Sequence, residues 1–322
     1  MAEKQFKTAL TEMLGIQFPI ILAPMFLVSN VDMVEAAGKA GITGAIPALN
    51  YRTTNELRKA IQQLKSSQTG PFGINLIVNK SNFKYREQLD ACCELGVDYI
   101  ITSLGSPKET IEKAHAKGIK VFCDVTDLRY AKKVEELGAD ALIAVNNEAG
   151  GHAGKLSPEE LIPLLINNCS CPVISAGGVG DYKSLKKMLD LGAAGASVGS
   201  IFIATDEAPV SLGYKEAIVD YGSDDIVMTT KLSGTPCSVI NTPYVKQIGT
   251  KQNPIERLLN GNKRLKKWFK ALTFIRGMKS LQNAAFSTTY KTVWCAGPTI
   301  EYVHSIRSIR EVVQHLVRED HA

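Results

Sequence analysis

The chain has 322 residues, of which 45% are hydrophobic and 21% charged, so it can bury a large core and is not composed like a disordered protein. Lys and Arg outnumber Asp and Glu by 37 to 32, and a net charge of +5 gives little support to nucleic-acid binding. The longest apolar run, Pro19 to Val28, has roughly half the length that a membrane-spanning helix needs. The charged first residues do not resemble a secretion signal. We therefore expect a cytoplasmic protein that binds neither nucleic acid nor membrane.

From Pro19 to about Ala204, short β-branched apolar runs alternate with amphipathic stretches, which is typical of repeated strand–helix units. A doubly wound open sheet would show the same alternation. A (β/α)8 TIM barrel is favoured because the unusual residues follow strand ends all along the chain and not at one switch point. The predicted strands are Pro19–Pro24, Thr43–Pro47, Phe72–Ile77, Asp98–Ser103, Ile119–Asp124, Ala141–Asn146, Pro172–Ala176 and Gly195–Gly199. The predicted helices between them are Asp32–Ala40, Thr54–Lys65, Tyr85–Leu95, Lys108–Lys117, Leu128–Leu137, Pro158–Asn167 and Asp181–Leu191.

The pattern changes after the eighth predicted strand. We assign residues 1–220 to the barrel, 221–299 to a lid or insertion on the substrate side, and 300–322 to a C-terminal helix that packs back on the barrel. Within the insertion, residues 222–233 predict a loop with one possible short strand. Residues 251–291 contain ten Lys or Arg and one acid, Glu256. This basic segment is either a solvated helix face or a surface that attracts an anionic substrate or acyl carrier.

One histidine has unusual surroundings. His152 follows the sixth predicted strand, between Gly151 and Gly154, on the side of a barrel where active sites are built. Glycines there allow the backbone to pass close to a planar ligand, and imidazole exchanges a proton near neutral pH. The alternative is a polar loop histidine without a role. We predict that His152 is catalytic.

Two glycine sites follow the last two predicted strands. Ala176, Gly177 and Gly178 close the seventh strand, and Gly199 and Ser200 close the eighth. Exposed N–H groups in such turns bind anions, and the loops after strands seven and eight are the recurrent phosphate site of barrels. Ordinary tight turns are the alternative interpretation.

Earlier strand ends carry three further candidates. Ala23, Pro24 and Met25 end the first apolar run in a rigid bend that suits the edge of a cofactor ring, although core packing explains them equally well. Asn75 is a lone amide at the end of strand three, where it either binds a ligand or is satisfied by loop backbone. Asp124 ends strand five and can orient a ligand hydroxyl or cap the next helix.

Several motifs are absent. The sequence has no G-x-x-x-x-G-K-[ST], H-E-x-x-H or G-x-S-x-G pattern, and no G-x-G-x-x-G opening a helix, so we predict no metal site. Its seven cysteines form no C-x-x-C motif, and Cys169 and Cys171 are one residue too close for one. Reduced thiols packed as small hydrophobic groups are expected.

Together these motifs resemble the nitronate monooxygenase family, formerly called 2-nitropropane dioxygenases, which are FMN-dependent (β/α)8 barrels. The similarity runs in order from about Phe6 to Val317. The segments that carry it are Pro19-Ile20-Ile21-Leu22-Ala23-Pro24-Met25, Gly73-Ile74-Asn75-Leu76, Glu148-Ala149-Gly150-Gly151-His152-Ala153-Gly154, Ser175-Ala176-Gly177-Gly178, Val198-Gly199-Ser200-Ile201-Phe202, Met228-Thr229-Thr230-Lys231 and Trp294-Cys295-Ala296-Gly297.

The resemblance implies that FMN is the cofactor and that nitronates or nitroalkanes are oxidised by dioxygen to a carbonyl compound and nitrite. Pro24 and Met25 would contact the flavin ring through their backbone, and Asn75 would hydrogen-bond it. His152 would bind or deprotonate the nitro compound. Phosphate would be held by the following residues: Gly177, Gly178, Gly199 and Ser200. Further cofactor contacts are expected from Ala23, Gly151 and Ala176.

Related enzymes often have a lysine or glutamine where this chain has Asp124. A carboxylate near reduced flavin would lower the redox potential of the flavin. Our hypothesis is that Asp124 contacts FMN or a ribityl hydroxyl. Two alternatives stay open. One is an FMN-dependent enoyl-acyl-carrier-protein or quinone reductase that uses NAD(P)H, with acyl carrier protein as the partner of the first, and the other is a non-catalytic FMN- or phosphate-binding protein. A homodimer is also left open.

Overall fold

The computed structural model describes residues 6–79, 82–231, 236–251 and 293–319. Eight parallel strands form a closed barrel, as the alternation predicts, because the last barrel strand pairs with the first: Ile21 lies opposite Ser197 on one side and Thr43 on the other. In chain order, the strands are β1 (Ile20–Leu22), β2 (Thr43–Pro47), β3 (Phe72–Ile77), β4 (Tyr99–Ser103), β5 (Lys120–Val125), β6 (Ala141–Val145), β7 (Gly151–His152), β8 (Val173–Ala176), β9 (Gly195–Val198), β10 (Ile226–Thr229) and β11 (Cys237–Ile240). All except β7, β10 and β11 belong to the barrel.

Helices connect the barrel strands and cover their outer face. Most begin at a side chain that caps the first turn, such as Thr53, Ser157 or Asp181. The helices are α1 (Ala9–Leu14), α2 (Val31–Lys39), α3 (Thr54–Ser67), α4 (Tyr85–Leu95), α5 (Lys108–His115), α6 (Leu128–Glu136), α7 (Pro158–Ile166), α8 (Tyr182–Asp190), α9 (Leu212–Asp220), α10 (Pro243–Ile248) and α11 (Ile309–Val317). Short 3-10 turns occur at Ala48–Asn50, Ser200–Phe202, Ser223–Asp225 and Pro298–Tyr302. No described helix is both long and apolar enough to cross a bilayer.

Two hydrophobic cores hold the barrel. The inner core is filled by side chains that point to the axis, including the stacked rings of Tyr99 and Phe122, whose centroids are 4.9 Å apart. The outer core lies between strands and helices. A Cβ atom at Gly73 would overlap the Tyr99 ring, so this glycine of the Gly73-Ile74-Asn75 motif serves core packing. The inner core closes the barrel below its carboxyl-terminal rim.

Three strands outside the barrel form a small antiparallel sheet in the order β10-β11-β7. Of these strands the sequence indicated only one, within residues 222–233, where β10 lies; β11 and β7 were not predicted, because four and two residues are too short for a periodic signal. Along the edge of β11 opposite β10, Gly151 and His152 pair with Ser238 and Cys237. Farther along the same edge, Val239 bridges to Cys295.

The C-terminal helix is shorter than predicted. The sequence suggested one helix over about Ile300–Val317, whereas the structure has a 3-10 turn at Pro298–Tyr302, an extended segment and then α11. The segment stays extended because Arg307 pairs with Thr205 and its N–H donates to the Ala204 carbonyl. The α11 helix packs against α2 and α8 on the outside of the barrel. Most of the predicted lid and its basic segment, residues 252–292, lies outside the described residues.

Candidate functional site

The predicted site residues lie at one end of the barrel. All eight barrel strands are parallel, so their carboxyl ends meet at a single rim. The residues lie near or after the ends of six barrel strands, and those that follow β6 form β7. The rim carries Ala23, Pro24, Met25, Asn75, Asp124, Gly151, His152, Ala176, Gly177, Gly178, Gly199 and Ser200.

The loop after β1 contacts the loop after β9. The N–H of Ala23 donates to the Val198 carbonyl at 2.8 Å, and a Cβ atom at Gly199 would lie 3.3 Å from the Met25 sulfur. The N–H of Met25 donates to the Ser29 hydroxyl at 2.9 Å, and that hydroxyl donates to the Ala23 carbonyl at 2.7 Å. The Met25 amide is thus used to shape the loop, and its side chain lies beside Gly199. The role of Ser29 was not predicted from the sequence, because its partners lie four and six residues away along an irregular loop.

A chain of hydrogen bonds links the ends of β3, β4 and β5. The side-chain nitrogen of Asn75 donates to the Ile101 carbonyl at 3.2 Å and to the Ser103 hydroxyl at 2.7 Å. The Ser103 hydroxyl in turn donates to the Asp124 carboxylate at 2.5 Å. Both amide hydrogens of Asn75 are therefore used inside the protein, which leaves its side-chain oxygen as the acceptor for a ligand. Ser103 was not predicted, because a serine at a strand end is common and carries no sequence signal.

Asp124 is half-buried within this network. Burial raises the pKa of Asp124 to about 6, and the hydrogen bond from Ser103 offsets part of the increase. The carboxyl group therefore changes its charge close to neutral pH. A neutral carboxyl can donate a hydrogen bond at the rim, whereas the carboxylate adds a negative charge there.

A second network joins the loop after β6 to the loop after β8. Asn146 is completely buried; its side-chain oxygen accepts from the Glu148 N–H at 2.9 Å, and its nitrogen donates to the Gly177 carbonyl at 3.1 Å. Its own carbonyl accepts from the N–H of Gly154 at 3.0 Å. Asn146 thus fixes both ends of the glycine–histidine loop. It ends the predicted sixth strand, but only the folded barrel shows which loops it connects.

The glycines of these loops are required for close packing. Gly177 has a left-handed φ of +109°, and a Cβ atom there would overlap the Asn146 side chain and lie 2.5 Å from the Ala149 nitrogen. At Gly150, a Cβ atom would lie 2.8 Å from the Ser200 hydroxyl and 2.9 Å from the Gly297 nitrogen. Two backbones therefore run against each other at this part of the rim. Packing alone accounts for much of the glycine pattern.

The segment Cys295-Ala296-Gly297 supports the same loops from outside the barrel. The Gly297 N–H donates to the Ser200 hydroxyl at 2.8 Å, so this hydroxyl has a partner within the protein. A Cβ atom at Gly297 would lie 2.7 Å from the Glu148 carbonyl oxygen. The sequence showed Gly297 only as part of a late family motif. Its contact with a loop about 150 residues earlier is visible only in the fold.

His152 lies in the two-residue strand β7 and is exposed at the mouth of the barrel. Partial desolvation by the surrounding protein disfavours the charged imidazolium and lowers the pKa of His152 below its ordinary value. The side chain is therefore mainly neutral at pH 7 and can accept a proton. Pairing of β7 with β11 fixes the position of its backbone.

Four backbone N–H groups at the rim fit a phosphate group. None of them donates to another described residue, although neighbouring loop amides do. They belong to two adjacent loops, after β8 and β9, and unpaired N–H groups in concave turns bind anions. The residues are Gly177, Gly178, Gly199 and Ser200. Together with the free acceptor of Asn75, they fit a phosphorylated cofactor. No cluster of metal-binding side chains occurs among the described residues.

A family model described as nitronate monooxygenase matches residues 7–319. The chain belongs to this family. Nitronate monooxygenases are flavin-dependent oxidoreductases, and the closed eight-stranded barrel with its phosphate-compatible rim agrees with that class. The chain is therefore an oxidoreductase of the nitronate monooxygenase family.

Individual relatives have different names. The chain is 32% identical to a Rhodococcus jostii protein named (3aS,4S,5R,7aS)-5-hydroxy-7a-methyl-1-oxo-octahydro-1H-indene-4-carboxyl-CoA dehydrogenase, over 85% of this chain and 75% of the relative. It is 26% identical to a probable nitronate monooxygenase of Staphylococcus saprophyticus, over 76% of this chain and 81% of the relative. The solved structure of FabK from Thermotoga maritima superimposes with a TM-score of 0.84 at 26% identity, covering 97% of this chain and 95% of that chain. The names of these relatives specify different substrates, a carboxyl-CoA compound in one and a nitronate in another.

Proposed function

We propose that the protein binds FMN and oxidises nitronates, or nitroalkanes, with dioxygen to a carbonyl compound and nitrite. Membership of the nitronate monooxygenase family and the name of the staphylococcal relative support this activity. The observation that carries the proposal is the position of a neutral histidine on the same rim as a set of unpaired backbone donors.

The cofactor would be held mainly by backbone groups. The four N–H groups after β8 and β9 would bind its phosphate, and the Asn75 side-chain oxygen would accept a hydrogen bond from the ring. Ala23, Pro24 and Met25 would line the ring on the β1 side, with Gly151 and Ala176 giving it close approach on the other. When bound, FMN would supply the redox chemistry between the organic substrate and dioxygen.

His152 would act on the carbon acid. A nitroalkane must lose a proton from the carbon next to the nitro group to become a nitronate, and the neutral imidazole can accept that proton. The resulting imidazolium would then face the nitronate, and their opposite charges would favour binding. With a substrate supplied as the nitronate, only the second role is needed. Nitroalkanes should therefore depend more strongly on His152 than nitronates do.

Asp124 would set the charge of the rim at β5, the strand next to β6. Below about pH 6 the carboxyl is neutral and can donate a hydrogen bond to a ribityl hydroxyl or to the flavin. Above that pH its negative charge disfavours anions nearby, including the nitronate. We expect nitronate binding to weaken as Asp124 ionises.

The proposal is tested on full-length protein loaded with FMN. Nitronate in air-saturated buffer should give nitrite and carbonyl compound in equal amounts, with oxygen consumed and without any nicotinamide. His304 is exposed in the segment that precedes α11. His304→Asn is therefore a matched control and should leave the rate unchanged. Protein that takes up no FMN, or that forms no nitrite above the protein-free rate, would disprove the proposal.

A second candidate is oxidation or reduction of an acyl thioester. It is favoured by the Rhodococcus relative, whose name specifies a carboxyl-CoA substrate. Such an enzyme exchanges electrons with a nicotinamide or another carrier in place of dioxygen. Anaerobic mixing distinguishes the two functions: rapid flavin reduction by NADH or NADPH, together with no nitrite from nitronate in air, would favour the thioester or quinone reductase.

A further inference from the structure

Two cysteines far apart in sequence meet in the small sheet at the barrel mouth. The sulfur atoms of Cys237 and Cys295 are 3.7 Å apart, although 58 residues separate them in the chain. All seven cysteines lie within the described residues and are free thiols. This pair alone among them has its sulfurs in hydrogen-bonding contact. The proposed function uses neither residue.

The backbone on both sides of the pair is anchored. Cys237 lies in β11, which is paired with β10 along one edge and with His152 on the other. Cys295 is held by its bridge to Val239. The Tyr214 hydroxyl donates to the Cys295 carbonyl at 2.6 Å. The sulfurs are therefore brought together by ordered strands.

The register also places both thiols on one face of the sheet. Residues opposite each other in an antiparallel pair project to the same side, as do residues two apart in one strand. Cys295 opposes Val239, which is two residues from Cys237, so both cysteines share a face. The sulfurs are 3.7 Å apart, and a disulfide bond is about 2.05 Å long. Bond formation therefore requires them to move closer together.

We propose that Cys237 and Cys295 form a reversible dithiol–disulfide site that is oxidised by a hydroperoxide. The Cys237 thiolate attacks one peroxide oxygen; the O–O bond breaks, a Cys237 sulfenic acid forms, and water leaves after the departing oxygen takes up a proton. The Cys295 thiol then attacks the Cys237 sulfur, the S–S bond forms, the S–O bond breaks, and a second water leaves. Two thiols have lost two electrons and two protons, and one hydrogen peroxide has become two waters.

The two sulfurs differ in the way that such a reaction needs. The contact between the two thiols lowers the pKa of Cys237, while the same contact and burial raise the pKa of Cys295. On this direction we assign the attack to Cys237, although it is only 4% exposed, and the resolving step to Cys295. Burial raises the pKa of the other cysteines, including the half-buried Cys93 on α4 and Cys169 after α7.

The test uses the full-length protein, reduced and then exposed to a small molar excess of hydrogen peroxide. Samples are alkylated at intervals, digested without reductant and analysed by mass spectrometry. We expect two of the seven thiols to disappear together. The Cys237 and Cys295 peptides should become linked, with a mass two hydrogens below their sum, and dithiothreitol should release them. The link between Cys237 and Cys295 should form before Cys93 is oxidised.

Two variants define the roles. In Cys295→Ser, Cys237 should accumulate as a sulfenic acid that dimedone traps, and no linked peptide should form. Cys93→Ser is the matched control and should give the same link as the unmodified protein. If Cys295→Ser does not fold, the peptide map of the unmodified protein still decides. A link between Cys169 and Cys171, or Cys237 and Cys295 reacting no faster than Cys93, would overturn the proposal.

Discussion

The two halves of the barrel rim are built on different principles. On the side of β6, β8 and β9, backbone runs against backbone, and Gly150, Gly177 and Gly297 leave no room for a Cβ atom. On the side of β3, β4 and β5, the rim is made of side chains joined in a hydrogen-bonded chain from Asn75 through Ser103 to Asp124. The first half can offer N–H groups in fixed positions but tolerates little change. The second half can change its charge with pH and can be tuned by substitution.

The largest expected effect is on turnover and concerns His152, the proposed catalytic residue on the glycine half. His152→Asn keeps a polar side chain but removes the proton acceptor, so turnover of a nitroalkane should fall by about 10²–10⁴-fold. FMN binding should be retained, because the phosphate donors belong to other loops. Steady-state kinetics and flavin absorbance measure the two quantities. Equal rates for the variant and for His304→Asn would show that His152 has no catalytic role.

The packing of the glycine half is tested by Gly177→Ala. The left-handed φ and the overlap with Asn146 and Ala149 should together lower the free energy of unfolding by about 2–5 kcal/mol. Gly118→Ala is the matched control, because Gly118 has φ +72° but no atom within 4 Å of an added Cβ. It should lose only about 1 kcal/mol. Denaturant unfolding compares them, and equal losses would mean that close packing at Gly177 contributes nothing.

The side-chain half should instead respond to pH. Because the pKa of Asp124 is raised to about 6, the folded protein holds this proton more tightly than the unfolded chain does. The stability from this group is complete below about pH 4 and is lost as the pH rises to about 6. Asp124→Asn should therefore match the unmodified protein near pH 4 and exceed its free energy of unfolding by about 1–3 kcal/mol above pH 6. The exposed Asp224→Asn should show no such trend, and a gain that is the same at every pH would contradict the assignment.

The smallest effect is expected at Ser103. Its hydrogen bond lowers the pKa of Asp124, so Ser103→Ala should raise that pKa further. The midpoint of the Asp124-dependent stability change should move to higher pH accordingly. Ser106→Ala, at an exposed position in the next loop, is the control and should leave the midpoint in place. A midpoint that moves to lower pH in Ser103→Ala would show that the serine does not stabilise the carboxylate.

Three of the residues that the sequence did not reveal have partners far along the chain. Ser103, Asn146 and Gly297 contact other strands or loops, 21 to 149 residues away. Their roles depend on register, as when Ile77 lies opposite Ser103 and brings the ends of β3 and β4 together. Asn75 and Asp124 were proposed as polar residues at the ends of predicted strands, and His152 was proposed because glycines surround it. The glycines were found as well, but their packing role was not visible.

The sequence by itself determined the order of the barrel strands and of the helices between them, and the rim on which polar residues and glycines collect. It could do so because hydrophobic periodicity and glycine turns are local properties, and parallel strands bring all their carboxyl ends to one side. The tertiary structure decided which backbone amides stay unpaired, which glycines are needed for contact, and that Cys237 meets Cys295. Hydrogen-bonding and van der Waals contacts act only over a few ångströms, so closing the barrel and pairing its mouth strands is what selects those partners.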